Sequence, residues 1–189
     1  MPKTPTEGSV LTGDIGAYEA AKQKNSTRSI SCTIETEGPS DIFSSEIKDR
    51  EGAATCHRVS YRCERITGGD ASSGELPNFG PIECYDITVE MEYGSWATGL
   101  QDKLHGGTII EKITIRRSMN IKNKLVDIQV TTYEVCTIKS YYQVGDTIVF
   151  SFKAVRRVDA NVAHNLDGTK LGQSVVIYDS ATGEATSET

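Results

Sequence analysis

The sequence predicts an all-β domain with one helix on its flank, and three observations carry that reading. The stretch "GDTIVFSFKAVRRV" (145–158) sets Ile148, Phe150, Phe152 and Ala154 on one side and Thr147, Val149, Ser151, Lys153 and Val155 on the other, the period of a strand. Similar alternating runs, separated by turn residues, recur along the chain, which has 17 glycines to make those turns. Only one window changes to a helical period. At 189 residues the chain holds one domain with a proper core, and two would be cramped.

Taken in order, residues 1–28 are rich in Thr, Ser, Gly and Lys and read as a flexible arm. The helical hint within it, Ile15 to Lys24, is too short to stand alone. Residues 29–179 read as the single folded domain. It begins with "RSISCTIET" (28–36), which alternates through Ile30, Cys32 and Ile34. The segment Glu37 to Ala54 is polar and breaker-rich, yet it carries Ile42, Phe43 and Ile47, which a free loop would leave wet. Docking on a partner and folding back on the same domain both answer that. "HRVSYRCERI" (57–66) and "IECYDITVEME" (82–92) are the next strands, the second apolar on both faces.

The helix is "GSWATGLQDKLHGG". Trp96, Leu100 and Leu104 fall at i, i+4 and i+8, so this stripe docks the helix. Ser95 is a suitable N-cap, His105 lies in the last turn, and Gly106-Gly107 ends the run. Then come "TIIEKITIRRSM", a turn at "IKNK", "LVDIQVTTYEVCTIKSYY", a turn at "QVGD" and the 145–158 strand. A hairpin signal at Asp167-Gly168 precedes "QSVVIYD" (173–179). The end, 180–189, is small and polar and reads as a flexible tail. The sum is about seven or eight antiparallel strands and one flanking helix, a barrel or a sandwich.

The chemistry-bearing residues form no catalytic constellation, and no enzyme is expected. Cys56-His57 with Cys63 and Cys84 lacks the close ligand pairs of a zinc site, so neither metal nor cofactor is expected. Three scattered histidines give no Cys-His nucleophile, and no glycine cluster has phosphate-loop spacing. Five cysteines without a framework rhythm read as free, mostly buried thiols of a reducing cytoplasm. A net charge of −6 argues against a nucleic-acid-binding surface. No stretch has the length of apolar residues a membrane helix needs, and no membrane partner is expected. Arg116-Arg117 and Arg156-Arg157 lie on strands, either as solvated edges or as ion pairs between subunits.

The order of strand, Ser-led helix, glycine exit, strand, turn, long strand, turn and strand resembles the tail-tube family. That family includes the haemolysin-coregulated protein (Hcp) of type VI secretion, phage tail-tube proteins and the inner-tube proteins of contractile injection systems. The resemblance is carried by "YDITVEMEYGSWATGLQDKLHGGTIIEKITIRRSM", "DIQVTTYEVCTIKSYYQVGDTIVFSFKAVRRVD" and "NLDGTKLGQSVVIYD", about half of the chain. The arm before Arg28 and the stretch "EGPSDIFSSEIKDREGAAT" depart from it. It implies an Hcp-like barrel that forms hexameric rings stacking into a tube with a central channel. It implies self-association, contacts with sheath, baseplate or spike proteins, and protein or DNA cargo passing without specific binding. It implies assembly in the bacterial cytoplasm before delivery as a particle, secreted tube or virion part. Within that scheme Ile42, Phe43 and Ile47 would stack rings, and the arginine doublets would pair between subunits. Asp127, Gln129, Thr131, Thr147 and Ser151 would face the lumen. The alternative is a monomeric barrel or sandwich that binds a ligand or a protein.

Overall fold

A computed structural model describes residues 30–37, 42–43, 52–68, 78–121, 124–165 and 167–188. The expectations for the arm 1–28, its helical hint and Ile47 lie outside these residues.

The strands are β1 (Ile30–Glu37), β2 (Ala53–Ser60), β3 (Cys63–Gly68), β4 (Asn78–Cys84), β5 (Ile87–Glu92), β6 (Ile110–Ile121), β7 (Lys124–Val144), β8 (Thr147–His164), β9 (Lys170–Asp179) and β10 (Glu184–Glu188). The helix α1 (Trp96–Gly106) lies between β5 and β6. Within the main sheet the order is β10-β9-β8-β5-β2-β1-β6-β7, and β7 pairs again with β8. That second pairing closes β8, β5, β2, β1, β6 and β7 into a six-stranded barrel and leaves β9 and β10 outside it. Two long strands make both possible. The first part of β8, Thr147 to Phe152, pairs with β5, and its second part, Arg156 to His164, pairs with β9.

The barrel is filled from every wall. Ile34, Val89, Met91, Ile113, Ile148, Phe150 and Phe152 are buried, and Tyr133 meets Phe152 edge-on at 5.1 Å between ring centroids. Tyr133 and Cys136 are three apart on β7, yet both are buried. Between them Val135 has φ 55, a conformation a β-branched residue rarely adopts. That kink turns the strand so that Tyr133 and Cys136 both face inward.

The structure has more strands than the alternation predicts, because two long runs break. "HRVSYRCERI" leaves the barrel at Tyr61-Arg62, and "IECYDITVEME" joins it after Tyr85-Asp86. The outer pieces pair with each other as β3 and β4, a ribbon of its own. Its base is held by the Tyr85 amide donating to the Arg62 carbonyl at 2.9 Å and by a Cys63–Cys84 disulfide. The free thiols expected at these two positions are therefore corrected: cysteines opposite each other across a strand pair are close enough to bond. The same bond dissolves the Cys56, His57, Cys63, Cys84 grouping. The segment from Ser180, expected to be a tail, contains a further strand. Glu184–Glu188 adds to β9 as β10 through main-chain pairing, which needs no apolar side chains.

Candidate functional site

The surfaces a barrel can present are its two ends and its outward walls, and each is built differently. At one end α1 bridges from β5 to β6. Leu100 and Ala97 are buried in the same cluster as the barrel core, and Trp96 and Leu104 pack against it half-buried. Ser95 occupies the N-cap position in a helical conformation, without a side-chain cap bond. Gly107, at φ 60, ends the helix by donating to the Leu104 carbonyl. Of the three stripe residues Trp96, Leu100 and Leu104, Leu100 lies deepest.

Two of the residues expected to stack rings, Ile42 and Phe43, join that packing. Ile42 is 9% and Phe43 3% exposed, both inside the core cluster, and the Ile42 amide donates to Thr36 Oγ1 at 3.1 Å. Phe43 meets Trp96 at 6.4 Å between ring centroids. Gly99 explains the fit, since a Cβ there would stand 3.2 Å from Ile42 Cγ2. For Ile42 and Phe43, folding back on the domain is the observed outcome, because the helix leaves an apolar groove that nearby chain can fill.

The opposite end is polar. The Arg157 guanidinium lies over the Tyr61 ring at 3.3 Å, pairs with Asp159 at 2.7 Å and is largely buried. Asp159 also accepts from Thr131 Oγ1 at 2.7 Å. Arg117 donates to Gln129 Oε1 at 3.2 Å. Burial pushes the Tyr133 phenol above its ordinary range, with Arg157 opposing. Beside this end, a cleft of about 380 Å³ lies between the β3–β4 ribbon and β8–β9, lined by Tyr61, Ile82, Tyr85, Lys153, Arg157 and Tyr178.

On the outward wall of β1, β6 and β7, charges neutralise one another. Arg116 bridges Glu35 at 2.7 Å and Asp127 at 3.2 Å, Lys112 meets Glu37 at 2.8 Å, and Ser118 donates to Asp127 at 2.6 Å. Arg156 pairs with Glu134 at 2.9 Å. The arginines expected to pair between subunits, Arg116, Arg117, Arg156 and Arg157, thus have partners in their own chain. Gln129 lies opposite Arg117 and Glu134 opposite Arg156, whereas Arg157 meets Asp159 two residues along its own strand.

The expected lumen set is split by register. Arg117 lies opposite Gln129 while Ser118 lies opposite Asp127, so Ile128 is an extra residue on β7. Asp127 therefore faces outward, whereas Gln129 joins Arg117 on the inner side. Thr131 is buried beside Asp159. Gln129 and Thr131 thus share the inner side of the barrel, because one inserted residue flips the side-chain parity that alternation assumed. Thr147 and Ser151 do lie on the face opposite the core, but Ser151 is only 8% exposed, held 2.6 Å from the Ser140 hydroxyl. Sequence reasoning missed the Tyr61–Arg157 stack and the ribbon. The available signal was the cysteine in each broken run.

No known family's sequence model matches the chain, and no curated protein does. Solved structures do match. A type six secretion system protein superposes with a TM-score of 0.73 at 10% identity, covering 84% of this chain and 100% of that one. Hcp1 from Salmonella typhimurium gives 0.66 at 10% identity, over 83% and 99%. Hcp1 from E. coli gives 0.58 at 13% identity, over 84% and 96%. The chain has the Hcp-like tail-tube fold.

Proposed function

We propose that the protein is a non-enzymatic structural subunit of the inner tube of a contractile injection apparatus, forming stacked hexameric rings around a channel. The observation that carries this reading is the fold match, which spans five sixths of this chain and the whole of a type six secretion system protein. The architecture is consistent with assembly. Among the described residues the outer edge of β10 has no strand partner, and an unpaired edge is a template for a neighbouring chain. A charge-compensated wall suits a conduit, since cargo slides past Glu35, Arg116 and Asp127 without strong attraction. Asp127 and Thr147 remain the lumen candidates. Sheath, baseplate or spike proteins are the expected partners outside the ring.

The Cys63–Cys84 disulfide supports delivery out of the cytoplasm after assembly there, because such bonds persist in oxidising surroundings. Among the described residues no helix is long and apolar enough to cross a membrane. The test is multi-angle light scattering across a concentration series, with negative-stain microscopy of the same samples. Six-chain rings are expected, and they stack as concentration rises. A species that stays monomeric at the highest concentration overturns the reading and favours a binding module.

A further inference from the structure

One row of side chains crosses four neighbouring strands at the polar end of the barrel. One step beyond the Thr33–Thr55 pair, Cys56 on β2 faces Cys32 on β1; Cys32 faces Arg117 on β6, and Arg117 faces Gln129 on β7. The Cys56 and Cys32 sulfurs lie 3.1 Å apart, about 1 Å beyond the ~2.05 Å length of a disulfide bond. Cys32 is half-buried, Cys56 is buried, and Arg117 is exposed, so the row reaches solvent on the Cys32 side.

We propose that Cys32 and Cys56 are a redox-active dithiol that closes to a second disulfide by exchange with a small-molecule disulfide. Cys32 is the attacking thiol and Cys56 the resolving one. The assignment follows from position: Cys32 is the more accessible sulfur and the one opposite the Arg117 cation, which favours a thiolate there. The hydrogen bond donated by Cys56 lowers the Cys32 pKa to about 7; burial opposes this and Arg117 reinforces it. The Cys56 thiol is pushed up by the same hydrogen bond and by burial, so it keeps its proton until needed.

The exchange balances. The Cys32 thiolate attacks one sulfur of the small disulfide, whose S–S bond breaks, and one small thiolate leaves. Cys56 gives its proton to that thiolate and attacks the Cys32 sulfur, expelling the second small thiolate. Two protein thiols are oxidised to one disulfide, and one small disulfide is reduced to two thiols. The third free cysteine, Cys136, is buried, and its thiol is pushed up to about 12, which keeps it out of the exchange.

Closure ties β1 to β2 around a segment spanning 24 positions, the one that brings Ile42 and Phe43 to the helix. Such a covalent loop holds that packing in place and raises Tm by about 5–10 °C. The experiment uses the full chain, reduced, freed of reductant and placed in oxidised and reduced glutathione at pH 8. Free thiols are trapped with iodoacetamide, and disulfide peptides are mapped by mass spectrometry. Expected are two linked pairs, Cys32–Cys56 and Cys63–Cys84, with Cys136 unlinked. In C56S the reaction stops at one glutathione adduct on Cys32. Two results would overturn the proposal: Cys32 and Cys56 both alkylated while Cys63–Cys84 is linked, or wild-type protein halting at the Cys32 adduct. The wild-type map decides even where C56S does not fold.

Discussion

The two ends of the barrel are closed by opposite means. At the helix end, Leu100, Ile42 and Phe43 fill the space with apolar side chains, and glycines admit close approach. At the polar end, Arg117, Gln129, Thr131, Arg157 and Asp159 fill it with groups that bond one another. Val135 stands where β7 passes from one regime to the other, with Tyr133 on one side and Cys136 on the other. The first end gains from area removed from water, and it fails by leaving a cavity. The second gains little net energy from each bond, and it fails by leaving a buried charge unpaired.

The largest expected break of this contrast is at the helix end. Leu100→Ala removes a side chain only 1% exposed and should cost about 4 kcal/mol, read by urea denaturation. At the polar end, Arg157→Met keeps the bulk but leaves Asp159 without its cation, and about 2–3 kcal/mol should be lost. Adding Asp159→Asn to that variant should recover part of the loss, because the carboxylate left without its cation is then gone. Full additivity of the two changes would mean the polar end is held by packing alone.

A smaller effect tests the glycines. A Cβ on Gly94 would stand 2.3 Å from the Trp96 ring, so Gly94→Ala must displace the indole. The expected loss is about 1–2 kcal/mol, together with a shift in tryptophan fluorescence. An unchanged emission spectrum would contradict the packing of Trp96 over Gly94. The mildest probe reads the polar end through chemistry. Because the Cys32 thiol titrates near 7 rather than at its ordinary value, its thiolate is present above about pH 7. Its alkylation rate by iodoacetamide should therefore be half-maximal near pH 7 in reduced native protein, while Cys136 at the apolar end stays unlabelled. Labelling of Cys32 that rises only above pH 8.5 would remove Arg117 and Cys56 as influences on it.

Legibility differed between the ends for the same reason. The helix end was largely readable, because Trp96, Leu100 and Leu104 repeat at a helical period within eleven residues, a property of local chain geometry. That Ile42 and Phe43 complete it could not be read, since a groove is made only when the helix docks. The polar end was nearly opaque: Arg157 carries no sign in the sequence that Tyr61 lies over it, 96 positions earlier in the chain.

The sequence alone determined most of the runs that become strands, where the one helix lies, which face of β8 enters the core, and the order of elements that resembles a tail tube. Each of these depends on residues within a few positions of one another, so each survives without knowledge of partners. Only the tertiary structure decided that β7 returns to β8 to close the barrel, that two runs break to release a ribbon, and that Cys63 bonds Cys84. It also decided, through the single extra residue Ile128, that Asp127 and Gln129 point to opposite sides. Strand register is a long-range property. One inserted residue reverses every side chain beyond it, and the neighbour across the sheet fixes where that insertion is tolerated.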